Sequence, residues 1–171
     1  MPEPVRIFAV TGEDVARFSL EDREGQAVLR GVGARCVEVD PGDPDRVYVG
    51  TFDRGVFISD DAGASWRQDE QGLVDRRVMS LAVSGSHQSD GVSVAYAGIE
   101  PSNLYRSSEP SWSFPPRPWT HHVCTIATHP ADPDWLADGI ELGGVMRSED
   151  AGKRWHDHNP QAYITATHTS C

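Results

Sequence analysis

The chain has 171 residues, 38% of them hydrophobic and 24% charged, with 16 Gly and 12 Pro. That is enough for one domain with a core, and the turn-forming content suits many short strands. The formal net charge of −11 excludes nucleic acid and anionic membrane surfaces as natural partners, because both repel an acidic protein.

The first 35 residues read as a partial unit. Residues 5–10, VRIFAV, form a strand closed by Thr11-Gly12. Val15 to Leu20 alternates as a second strand, and Gln26 to Arg30 follows an acidic turn as a third. The strand that should open this unit is missing, and the C-terminal segment is the expected donor.

Residues 36–77 make the first complete unit. Cys36 to Val39 is its innermost strand, followed by strands at Val47 to Thr51, Gly55 to Ser59 and Trp66 to Gln68. The turns between them are DPGDPD before Val47 and Asp60-Asp61-Ala62-Gly63 before Trp66. Residues 78–122 form a second unit, with strands at Val78 to Val83, Val92 to Gly98 and Asn103 to Ser107. Ser84 to Gly91 reads as a polar surface turn. The run PSWSFPPRPW is too rich in proline for anything but an outer edge, since proline cannot donate to a ladder. Residues 123–160 form a third unit, with strands at Cys124 to Thr128, Trp135 to Ile140, Val145 to Ser148 and Trp155 to His158. Residues 161–171 hold one further candidate inner strand, Tyr163 to Thr167.

The units repeat one another. Asp43-Pro44-Asp45 returns as Asp132-Pro133-Asp134, Gly50 as Gly139, Gly55 as Gly144, and Trp66 as Trp155, 89 residues on. Trp112 lies between, so the tryptophan steps are 46 and 43 residues. Short strands at a period in the forties imply an all-β chain: a β-propeller of four-stranded antiparallel blades. Three full units and a partial one make it incomplete or small. An unclosed arc leaves sheet edges open to self-association. Completion by further copies, a longer parent and a tight four-bladed ring all satisfy those edges, and the tail ITATHTSC, ending in mid-pattern, favours a partial chain.

Two of the turns carry a family resemblance. Ser59-Asp60-Asp61-Ala62-Gly63-Ala64-Ser65-Trp66 and Ser148-Glu149-Asp150-Ala151-Gly152-Lys153-Arg154-Trp155 resemble the Asp-box, the S-x-D-x-G-x-T-W motif of BNR repeats. Ser107 to Trp112 is a shorter copy without the Asp and Gly. Such boxes occur in sialidases, in sortilin-type receptors, in photosystem II assembly factors and in bacterial BNR or YVTN-like proteins, the last being most similar. The resemblance implies a structural role for Asp61, Gly63, Trp66, Asp150, Gly152 and Trp155. The Asp would fix the turn, the Gly would supply an unusual backbone angle, and the Trp would pack between sheets.

A ligand site is expected where the central channel opens. Loops joining second to third strands bring Asp53, Arg54, Glu100 and Glu141 there. Loops crossing between units bring Arg76, Arg77, His121 and His122. Glu100 and Glu141 match, since each follows Gly-Ile. Acids, arginines and histidines on one rim suit a protein or a small polar or anionic ligand. The favoured reading is a non-catalytic binding scaffold, with no catalytic residue, cofactor or metal assigned. The alternative is a glycoside hydrolase of exo-sialidase type, or an inactive fragment of one. It would need three arginines converging at the mouth and a tyrosine–glutamate pair facing them.

The N-terminal MPEPVRIFAV has no basic stretch before an apolar core, so no secretory leader is read, and no run reaches the about 18 apolar residues of a membrane span. Cys36, Cys124 and Cys171 fit no zinc spacing. They are expected to be small buried thiols in a reducing, cytoplasmic setting.

Overall fold

The computed structural model describes residues 5–20, 24–69, 71–89, 91–101, 103–108, 111–113, 122–141 and 144–157. These residues are strands and turns without a helix, arranged as four antiparallel sheets. The first sheet holds β1 (Arg6–Val10), β2 (Val15–Ser19) and β3 (Glu24–Leu29). The second holds β4 (Ala34–Val39), β5 (Val47–Thr51), β6 (Val56–Ser59) and β7 (Arg67–Asp69). The third holds β8 (Arg77–Ser89), β9 (Val92–Glu100), β10 (Asn103–Ser108) and β11 (Ser111–Ser113). The fourth holds β12 (Val123–Thr128), β13 (Leu136–Ile140), β14 (Gly144–Ser148) and β15 (His156–Asp157). Strands pair in chain order, and the inner strands β4, β8 and β12 lie side by side. This is an arc of propeller blades.

Each join between sheets has its own core. Phe8, Val10, Val15 and Val28 of the first sheet meet Val49, Phe57 and Trp66 of the second. Tyr48, Val56 and Ile58 meet Leu81, Ile99 and Tyr105 of the third. Val94, Tyr96 and Leu104 meet Val123, Leu136 and Trp155 of the fourth. A blade with neighbours on both sides buries both faces. That is why β5 opens with the apolar run Val47-Tyr48-Val49 and is buried at every residue, rather than alternating.

The two acidic turns are near-copies. Ser59 Oγ donates to Asp61 Oδ1 (2.8 Å) and accepts the Gly63 N–H (2.7 Å). Ser148 Oγ does the same with Asp150 (3.0 Å) and Gly152 (2.9 Å). Ala62 and Gly63 have φ of 55° and 84°, and Ala151 and Gly152 have 56° and 85°, a left-handed pair in which the glycine avoids the side-chain penalty. The tryptophan ring N–H then closes on the glycine carbonyl, Trp66 to Gly63 at 3.2 Å and Trp155 to Gly152 at 2.8 Å. Each turn also docks on the DPD turn of its own sheet, through Ala62 N–H to Asp45 O (2.7 Å) and Ala151 N–H to Asp134 O (2.8 Å). Even the residue that opens the DPD segment has a counterpart. Asp40 Oδ1 accepts Gly42 N–H (2.8 Å), and His129 Nδ1 accepts Ala131 and Asp132 N–H (3.2 and 2.9 Å).

The first sheet is a copy whose β1 corresponds to β5. Thr11 Oγ1 donates to Asp14 O and accepts its N–H, as Thr51 Oγ1 donates to Gly55 O and accepts Arg54 N–H. The tail expected to supply the opening strand lies outside the described residues, as does the proline-rich run beyond Ser113.

Two expectations are corrected. Ser84 to Gly91 does not leave the sheet as a surface turn. β8 and β9 continue as a long hairpin, with Gln88 opposite Ser93 after a register shift. Contacts outside the hairpin support it, since Ser86 Oγ donates to His129 O (3.1 Å) and Thr128 Oγ1 to Val83 O (3.3 Å). Cys124 is not a free buried thiol but is disulfide-bonded. Cys36 is free, and burial pushes its thiol up to about 12.

Candidate functional site

Register places the rim residues in equivalent positions. Ala34 pairs with Thr51, Val78 with Ile99, and Val123 with Ile140, each followed by a one-residue bulge in the inner strand. Gly33, Arg77 and His122 therefore share one position, just before the first of these pairs. Phe52, Glu100 and Glu141 share another, at the end of the second strand. The backbone bond Phe52 N–H to Gly33 O (2.9 Å) recurs as Glu141 N–H to His122 O (2.9 Å). Arg35, the bulge residue of β4, is turned toward the same rim, as bulges near a strand end commonly arrange.

These positions interleave across the sheet boundaries. The Arg77 guanidinium lies 5.0 Å from the Phe52 ring centre of the preceding sheet and bonds Glu100 of its own sheet at 2.8 Å. His122 repeats the pattern one sheet later, with Nε2 3.9 Å from Glu100 and Nδ1 3.2 Å from Glu141. The result is a zigzag, Phe52–Arg77–Glu100–His122–Glu141, running over three sheets. Arg35 continues it backwards, its guanidinium 5.5 Å from the same Phe52 ring.

Two cavities flank Phe52. One, of about 290 Å³, is lined by Phe52, Asp53, Asp75, Arg76, Arg77, Glu100 and Pro101. The other, of about 600 Å³, lies one sheet earlier, between Glu13, the Gly31 to Arg35 crossing and the Phe52-Asp53-Arg54 loop. The following crossing, which carries Arg76, is tied to the end of this loop by Gly55 N–H to Arg76 O at 2.9 Å. Arg35, Arg54, Arg76 and Arg77 are exposed on this rim, among the carboxylates Glu13, Asp53, Asp75, Glu100 and Glu141.

Of the residues singled out from sequence, Asp53, Arg76, Arg77 and Glu100 meet around the smaller cavity. Arg54 faces the larger one. His122 and Glu141 join at 3.2 Å. His121 lies outside the described residues. Sequence reasoning missed Phe52 and Arg35. Phe52 could have been found as the residue that replaces the Glu of the Gly-Ile-Glu copies; Arg35 is recognised only from the bulge.

Neither Arg147 nor a tyrosine of the sialidase-type set stands on the rim among the described residues. Arg147 pairs with Glu149 (3.5 Å) on the third strand of the fourth sheet. Tyr96 and Tyr105 are buried in the cores between sheets. Burial pushes the Tyr96 phenol up to about 12, which suits it poorly to act as a nucleophile at neutral pH.

No protein-family model and no curated protein sequence matches the chain. Solved structures do. A GH74 enzyme from Niastella koreensis superposes with a TM-score of 0.73 at 14% identity, over 91% of this chain and 28% of that one. An ancestral GH74 enzyme gives 0.69 at 17%, over 95% and 24%. YCF48 bound to D1 peptide gives 0.58 at 15%, over 91% and 43%. The likeness is one of fold. The chain spans less than half the length of each of these β-propeller proteins.

Proposed function

We propose that this chain is a BNR-type propeller segment that acts as a non-catalytic binding scaffold, with its ligand seated on the rim around Phe52, Arg77, Glu100, His122 and Glu141. The zigzag carries this reading. Two successive sheets contribute alternating donors and acceptors, and the sheet before them an aromatic ring, to one solvent-open line beside two cavities, while the described tyrosines are buried. A polar line of fixed side chains suits recognition of an extended polar ligand. YCF48, a fold neighbour, is a propeller with a bound peptide, which supports the scaffold reading by analogy of fold.

Binding to peptide and glycan arrays tests it. Arg77→Ala and Glu141→Ala are expected to remove the hits of the wild-type chain while the melting temperature holds. Hits that survive both substitutions would exclude the rim.

A second reading has its own support. Several fold neighbours are GH74 glycoside hydrolases, and Glu100 and Glu141 are two carboxylates facing one imidazole. Paired carboxylates are the usual machinery of glycoside hydrolysis. Reducing-sugar release from xyloglucan that disappears in Glu100→Gln and Glu141→Gln would favour this reading over the scaffold.

A further inference from the structure

The equivalence of Phe52, Glu100 and Glu141 carries more than a groove. In the third and fourth sheets this position is a carboxylate, and each faces a basic side chain at the start of the inner strand. Glu100 holds Arg77, and Glu141 holds His122. In the second sheet the position is Phe52, 46% exposed, and two guanidiniums crowd its ring. Arg77 has its partner in Glu100, but Arg35 has no ion pair among the described residues, and neither does Arg54 in the same cavity wall. The aromatic ring holds the Arg35 guanidinium by cation–π attraction and leaves its N–H edge unspent. In the second sheet both members of the repeated pair are replaced, with Gly33 at the position of Arg77 and His122, so no carboxylate of the series reaches the two arginines beside a cavity of about 600 Å³, which Glu13 and Asp53 also line.

We infer that the ligand supplies the missing carboxylate: a carboxylate-bearing molecule binds against Phe52, with its anionic group taken by Arg35 and Arg54. This rests on the rim being a binding site and names the chemistry of its ligand. Arginine suits the task, because its planar fork pairs bidentately with a carboxylate. The chain's overall net charge of −11 opposes a polyanion at long range. Selectivity would therefore come from a few well-placed carboxylates rather than from bulk negative charge. The carboxylate could be carried by a small diacid or by glutamate side chains of a peptide, and the two are separable.

The test is titration of the chain, followed by NMR, with glutarate, with a Glu-rich decapeptide and with the same decapeptide carrying Gln for Glu. Shifts at Phe52, Asp53 and Arg35 are expected with the carboxylate ligands. The Gln peptide should bind at least about ten-fold more weakly, the usual value of one charge-assisted contact. Arg35→Gln should weaken the Glu peptide by a similar factor. Phe52→Glu, which restores the internal counter-ion, should weaken it as much while the melting temperature holds. Arg6→Gln removes a positive charge paired with Asp45 on the opposite face and should leave binding unchanged. Glutarate alone reproducing the affinity would identify a small diacid; binding by the peptide only would identify an extended acidic segment. Equal binding of Glu and Gln peptides would overturn the inference and leave the rim reading intact. So would failure of both carboxylate probes while array hits remain sensitive to Arg77→Ala. No rim-dependent ligand of any class would overturn both.

Discussion

Gly50, Gly98 and Gly139 occupy one position, on the second strand of three successive sheets, but they face different neighbours. A methyl group at Gly98 would lie 2.7 Å from the Val123 carbonyl oxygen and 2.9 Å from Val123 Cβ of the next sheet, and against Ser80 Oγ. It would also displace the buried bond from Ser80 Oγ to Val123 O, 2.9 Å long. Overpacking of this kind costs about 1–3 kcal/mol, and loss of a buried hydrogen bond adds about 1 kcal/mol. Relief of glycine's conformational entropy returns about 0.5–1 kcal/mol. Gly98→Ala should therefore destabilise by about 1–3.5 kcal/mol, lowering the melting temperature by about 2–14 °C for a chain of this size. At Gly139 the only described atom close to the new methyl is Thr125 Cγ2 at 2.5 Å, on an exposed side chain of the same sheet. That methyl can rotate away. Gly139→Ala should fall within about 2 °C of wild type. Thermal unfolding of both variants, followed by circular dichroism, decides the matter. Equal losses, or a larger loss at Gly139, would refute the stacking of the third sheet on the fourth.

Other outcomes follow from the same contacts. Hydrogen bonds from Ser65 and Ser59 hold the Asp61 carboxyl down to about 2, against an ordinary 3.8. A lowered carboxylate contributes stability above its unfolded value and loses it as pH falls through its folded value. The melting-temperature gap between wild type and Asp61→Asn should be widest at neutral pH and close between about pH 4 and pH 2; a gap independent of pH would remove the carboxylate from the turn. Trp112, 3% exposed in the core between the second and third sheets, donates its ring N–H to Asp69 at 3.2 Å. Trp112→Ala should cost about 3–5 kcal/mol in urea unfolding, and a cost below 1 kcal/mol would place the side chain outside that core. Native Cys36, raised to about 12 by burial, should resist thiol reagents at pH 8 and react on denaturation. Fast reaction in the native chain would contradict the desolvation of this half-buried thiol.

Much of the architecture was legible in the sequence because its determinants are local. The acidic turns are closed by hydrogen bonds spanning two to four residues, so Ser-x-Asp-x-Gly reads directly as a shape. Apolar runs such as Val47-Tyr48-Val49 and the return of Trp66 as Trp155 announce blades before any contact is known. The long hairpin was not legible, because its support comes from His129 and Thr128 on another sheet, and Val-Ser-Gly-Ser-His-Gln-Ser shows no strand alternation of its own.

The rim divides the same way. Its matching glutamates, Glu100 and Glu141, follow from the Gly-Ile-Glu repeat alone. That Arg77 reaches back to Phe52 of the preceding sheet and His122 to Glu100 depends on how neighbouring sheets are set against each other. A one-residue bulge, invisible in composition or period, aims Arg35 at the same ring. Sequence by itself determined the repeating unit, since bonds within a turn need only nearby residues. Tertiary structure decided which side chains share the rim, since those contacts join sheets and their geometry is fixed only when the blades stack.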